Sequence, residues 1–158
     1  MRKITLIMLF LLSAKVGLSQ LWLTEDELIK RYGKPIEKGY FEKIPDLDLY
    51  YLIFDSENVN KTSEYKCEYL KAFLPIDTSI VNYCFWVEAK YPIKYIYSFI
   101  ENYNKKYSRP LKEDLKWIDY NEAVWHYLYI TAEEDYFLAV DMVDFELLIR
   151  EEKSDYDY

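Results

Sequence analysis

Glycine is almost missing from this chain, with three residues in 158. Loops that cradle phosphate need several, because only a residue without a Cβ lets backbone N–H groups close around an anion. Nucleotide-binding loops are therefore excluded. Histidine occurs once and cysteine twice, so His126, Cys67 and Cys84 cannot assemble the four nitrogen and sulfur ligands of a structural zinc. Asp46 and Asp48, like Glu133, Glu134 and Asp135, lack the alternating spacing and glycine of a calcium loop and read as solvated turn residues. No metal and no cofactor is expected. Cations are also in short supply, 20 against 28 acids for a formal net charge of −8. Such a surface repels phosphate backbones and anionic lipid, which excludes nucleic acid as a partner. Long apolar runs are missing too: none approaches the roughly 20 residues of a spanning helix.

The longest apolar run lies at the start. MRKITLIMLFLLSAKVGLSQ opens with Arg2 and Lys3, runs apolar from Ile4 to Leu12, and sets Gly17 and Ser19 three and one residues before Gln20. That is the pattern of a secretory leader, residues 1–19, cleaved before Gln20. Lys15 interrupts the run, which argues against a retained membrane anchor, and no cysteine stands at the cut to carry lipid. The expected destination is secreted or periplasmic, without membrane insertion after cleavage. Loss of Arg2, Lys3 and Lys15 leaves 17 cations against 28 acids and moves the net charge to −11. The roughly 139 residues that remain form one domain, 20–148, long enough to bury about two-thirds of its unfolded surface. Residues 149–158 read as an acidic flexible tail.

What the chain has in abundance is rings. Aromatics make up 19% of it, including 18 tyrosines, and so much apolar surface offsets the entropy of ordering, which excludes a disordered chain. The stretch LTEDELIKRYGKP bounds a short helix. Thr24 and Glu27 have capping-box spacing, Leu23 can staple onto Leu28, Gly33 supplies a left-handed stop and Pro35 prevents resumption. Strand-like segments follow at 47–55, 63–74 and 79–89. Then PIKYIYSFIENYNKKY, 92–107, repeats apolar residues three and four apart, with Pro92 suited to the first helical position. After a break at 108–110 come β segments at 115–119, 123–132 and 136–145. The order predicts an α+β domain of two tandem α-β-β-β halves forming an antiparallel sheet, with helices packed on one face. T-x-x-E-L-x-x-x-Y-G-x-P, from Thr24 to Pro35, resembles the helix that opens modules of the β-lactamase-inhibitory-protein-like and SmpA/OmlA outer-membrane-assembly type, and is similar to many small exported bacterial proteins. The resemblance implies a fold and a tendency to bind other proteins.

Two pairs of residues are drawn together by hairpin register. A turn centred on residues 75–76 sets Cys67 opposite Cys84 at a Cα separation of about 4.5–5.5 Å, within disulfide range. An exported location favours oxidation, and the bridge would contribute roughly 3 kcal/mol. The alternative is two buried free thiols, the outcome of an odd-length loop. A turn centred on residues 133–134 sets His126 opposite Asp141. Imidazole beside carboxylate is an orienting pair in hydrolases, yet no nucleophile accompanies it, and a cross-strand polar contact is the simpler reading. Asn60-Lys61-Thr62 is a glycosylation sequon and marks a surface loop.

Alternation on the later strand places Trp125, Tyr127 and Tyr129 on one face, opposite Val124, His126, Leu128 and Ile130. Tyr65 and Tyr69 share a face in the earlier hairpin. If helices cover only one side of the sheet, these five rings form a binding surface, since Tyr and Trp give large contact area at low side-chain entropy. The alternatives are rings packed inside with hydroxyls at the rim, or a sheet folded on itself. The sequence therefore predicts a non-enzymatic exported binding module that grips a protein or a glycan. The competing expectations are a structural or homodimeric envelope component and, third, a hydrolase built on His126 and Asp141.

Overall fold

The computed structural model describes residues 20–44, 47–61, 64–77, 82–110 and 114–147. The expected leader, 1–19, and the expected acidic tail, 149–158, lie outside these residues. The chain is mixed α+β: one seven-stranded sheet, antiparallel at every pairing, with a few short helices.

The first helix, α1 (Glu25–Tyr32), forms as its termini dictate. Thr24 Oγ1 accepts from the Glu27 N–H at 3.3 Å, and a Glu27 carboxylate oxygen accepts from the Thr24 N–H at 2.9 Å, which completes the capping box. Gly33, at φ 81°, donates its N–H to the Ile29 carbonyl and ends the helix. Leu23 and Leu28 are both buried, as a staple requires. Eight residues cannot hold a helix in water, so α1 depends on docking. It buries Leu28 and Tyr32, whose ring lies 5.5 Å from Phe54 on the sheet.

The strands are β1 (Glu37–Ile44), β2 (Leu47–Asp55), β3 (Tyr69–Pro75), β4 (Trp86–Pro92), β5 (Lys116–Asp119), β6 (Val124–Ile130) and β7 (Tyr136–Val143), and their spatial order is β1-β2-β3-β4-β7-β6-β5. A one-turn helix, α2 (Ser56–Val59), capped by Asp55, follows β2. The second long helix, α3 (Ile96–Lys106), is entered through a 3-10 turn at Ile93–Tyr95, just after Pro92. β1 is an addition to the sequence reading, so the segment before α3 holds four strands rather than three.

The register shows which side the helices cover. Phe54, Leu70, Ala89, Ala139 and Leu128 stand in one row across five strands. Phe54 meets α1 through Tyr32, and Leu128 and Ala139 share a buried cluster with Ile96 and Phe99 of α3. Both long helices thus lie on the same face.

Two expected features differ. The β3–β4 pairing runs from Tyr69↔Lys90 to Phe73↔Trp86, which centres the hairpin four residues beyond the assumed turn. Cys84 therefore does not oppose Cys67, and both thiols are free and buried. The physical reason is a competing partner: the Trp22 N–H donates to the Cys84 carbonyl at 2.7 Å and the Cys84 N–H to the Leu23 carbonyl at 2.8 Å. The backbone of residue 84 is paired with the start of the domain. Tyr65 precedes β3 and escapes its alternation. It packs under α3, with its ring 5.0 Å from Phe99 and its hydroxyl accepting from Asn102.

Candidate binding face

The other side of the sheet is where the rings gather. Gly39, Tyr51, Phe73, Trp86, Met142, Trp125 and Ile118 form one row that crosses all seven strands. The next row runs Glu37, Ile53, Lys71, Glu88, Val140, Tyr127, Lys116. A third carries Asp55, Tyr69, Lys90, Leu138 and Tyr129. These positions alternate with those beneath the helices, as a pleated strand requires.

The two ends of this face are unlike. Toward β1 the rings close on each other: Phe73 and Trp86 stack at 4.3 Å, Phe41 meets both edge-on, and Phe73 is 1% exposed. At this end the rings cover one another. Toward β6 the rings stay open. Trp125 and Tyr127 are half-buried and Tyr129 is 51% exposed. Tyr127 and Tyr129 lie nearly parallel, 5.8 Å apart, and Trp125 continues the line 6.2 Å from Tyr127. Trp125 is fixed by donating from Nε1 to an Asp144 carboxylate oxygen at 2.8 Å. Of the five rings singled out in the sequence, Trp125, Tyr127, Tyr129 and Tyr69 share this side, and Tyr65 does not.

Lysines were not anticipated. The Lys116 ammonium sits 3.9 Å from the Trp125 ring centre and 5.1 Å from that of Tyr127. Lys71 lies 3.9 Å from the Tyr51 ring and Lys90 4.4 Å from Tyr136. A cation over a ring face is attracted by its quadrupole, by about 0.5–1 kcal/mol at exposed sites. These contacts orient the rings. The signal for Lys116 was present in the sequence, because a turn centred on residues 121–122 places it opposite Tyr127. Glu88 is cross-strand to Lys71, and burial pushes its carboxyl up against the opposing pull of that lysine.

His126 pairs with Asp141 as the register predicts, with Nδ1 2.7 Å from a carboxylate oxygen. The pair lies on the helix side. Tyr107 stacks on the imidazole at 4.0 Å, Tyr103 packs against it at 5.2 Å, and His126 is 7% exposed. Its Nε2 is buried without a partner among the described residues. The imidazole is thus packed between rings under α3, with the contacts of a core group.

Among the described residues no group of His, Cys, Asp and Glu could hold a metal ion, and no helix is long and apolar enough to cross a membrane. The sequon has a structural use. Asn60 donates its side-chain amide to the Cys67 carbonyl at 2.9 Å and accepts from the Cys67 N–H at 2.8 Å, closing the loop before β3. No family model, curated protein or solved structure matches this chain. The geometry of its own residues carries the functional argument.

Proposed function

We propose that the chain is an exported, non-enzymatic binding module that grips a protein or a glycan with the aromatic side of its sheet. The observation that carries this reading is the position of Trp125, Tyr127 and Tyr129 on the face opposite α1 and α3, with Tyr129 half exposed. Rings held in place by a strand, a hydrogen bond and a neighbouring lysine lose little freedom on binding, which is why Tyr and Trp dominate recognition surfaces. The burial of His126 under Tyr107 adds support, because it covers the imidazole that a hydrolase built on His126 and Asp141 would use. Export is supported by the leader pattern of residues 1–19.

On this reading the domain is also two halves, each opened by a long helix, which meet where β4 pairs with β7 at the middle of the sheet. Capture from a cell-envelope extract and binding to immobilised glycans, each with the mature chain and its W125S/Y127S double variant, test the function. A partner held by the mature chain and lost by the variant, with the circular dichroism spectrum unchanged, is the expected result. Equal capture by both chains would remove the face from consideration. Light scattering separates the homodimer reading, which requires the mature chain alone to associate through the same rings.

A further inference from the structure

We infer that the sheet continues across a two-fold axis: β1 pairs with β1 of a second copy of this chain, antiparallel and centred on Tyr40. The interface is distinct from the proposed binding face, because β1 is the opposite edge of the sheet from the end where β6 carries Trp125, Tyr127 and Tyr129.

The two edges of the sheet are unlike. β5 has four residues, and Ser108 closes its outer side by exchanging backbone hydrogen bonds with Ile118 at 3.0 and 2.8 Å. β1 has eight, and β2 is its one strand partner among the described residues. Its outer edge therefore offers a row of N–H and C=O groups to another strand. Tyr40 stands on the helix side, in register with Tyr50, and is 80% exposed, so α1 leaves this edge uncovered. Lys38, on the same side, bonds Glu25 of α1 at 2.9 Å and keeps half of its side-chain surface open.

Charge on an edge strand ordinarily keeps other strands away, because a foreign strand leaves it unmatched. The order of charges in β1 makes one exception, which is β1 itself. Read against its own copy about Tyr40, E-K-G-Y-F-E-K sets Glu37 opposite Lys43, Lys38 opposite Glu42 and Gly39 opposite Phe41. Every charged position meets the opposite sign, and the two-fold axis repeats each pair. Opposite charges directly across a ladder stabilise it and like charges oppose it. A slip of one residue either way would set Glu37 opposite Glu42 or Lys38 opposite Lys43, so the charges also fix the register. In the matched register both members of a pair have the same parity, so they share a face and turn their hydrogen-bonding groups to the same side. The bulge between Phe41 and Ile44 lies outside the Gly39–Phe41 centre, where the two backbones meet. Because Ser108 closes the other edge, the assembly ends at two copies. Their ring faces then look the same way from opposite ends, which suits a repetitive partner held at two points.

Size-exclusion chromatography with light scattering, on the mature chain and on edge variants checked by circular dichroism, provides the test. The mature chain should have the mass of a dimer, and so should its W125S/Y127S variant. E37K/E42K makes the edge cationic throughout and K38E/K43E makes it acidic throughout, so each turns every charge pair repulsive. Either should weaken association by at least about tenfold, and mixing the two should restore a dimer that contains one of each. Tyr40→Asp, at a position exposed enough to spare the fold, sets two acids together on the axis and should release the monomer even if a double variant fails to fold. A mature chain that is monomeric at every concentration overturns the pairing. So does a dimer that survives the edge substitutions, and its loss in W125S/Y127S would assign the contact to the rings instead.

Discussion

The Cys84 thiol is fully buried and pushed up to about 12, and that of Cys67 to about 11, in both cases by burial. A thiol becomes a nucleophile only as thiolate, so both should resist an aromatic disulfide reagent in the native state. Addition of denaturant without reductant should release two reactive groups, and fewer than two would mean that a disulfide forms. Glu88 answers to the same physics with the same sign. Burial holds its folded pKa above the unfolded value, with Lys71 pulling the other way. The folded state therefore binds the proton more tightly, and the ionised carboxylate opposes folding at neutral pH. That opposition fades as pH falls through the folded pKa and is gone below the unfolded one. Glu88→Gln should raise Tm at neutral pH, with the two melting curves converging under acid conditions. A variant that melts lower at neutral pH would show that the Lys71 contact outweighs burial.

At the scale of elements, α1 offers the sharpest case because every part of it is local. Thr24→Ala removes the side-chain half of the capping box, and substitutions of this kind cost about 1 kcal/mol. Denaturant titration should show that loss with an unchanged slope. The same locality made α1 legible from the sequence, along with α3, β2 and the β6–β7 hairpin, whose His126↔Asp141 register follows from a four-residue turn. β1 was not legible. Its EKGYFEKI has four charges and a glycine, and what makes it a strand is a neighbour. A Cβ on Gly39 would lie 2.5 Å from the Tyr51 hydroxyl, so the ring of Tyr51 rests across β1 where a side chain would stand. The ring reaches over to donate to a Glu37 carboxylate oxygen at 2.7 Å. Cross-strand cover of this sort is invisible in a window of eight residues. The Cys67–Cys84 register failed for a related reason, since the competing partner of Cys84 lies some sixty residues earlier, at Trp22 and Leu23. Tyr65 was misplaced because alternation was extended four residues before the strand begins at Tyr69.

For the molecule as a whole, one sheet has two sides that are covered differently, and stability should divide between them. Helices α1 and α3 bury one side, and on it Phe99 is a hub: its ring lies 5.0 Å from Tyr65, 4.8 Å from Tyr91, 5.8 Å from Tyr103 and 5.2 Å from Phe137. Truncation of such a side chain removes its transfer free energy and leaves a cavity that rigid neighbours cannot fill, a loss of about 3–5 kcal/mol. Tyr129, on the opposite side, is half exposed and, among the described residues, touches one ring, that of Tyr127. Replacing it by serine forfeits strand propensity and little packing, under about 1 kcal/mol. Equilibrium unfolding of Phe99→Ala and Tyr129→Ser should therefore separate by several-fold in destabilisation, while partner capture should separate in the reverse order once Phe99→Ala is assayed below its melting point. Equal destabilisation by the two would mean that the rings on the open side hold the fold together. In that case their exposure would be a by-product of packing, and the case for a recognition surface would lose its physical ground.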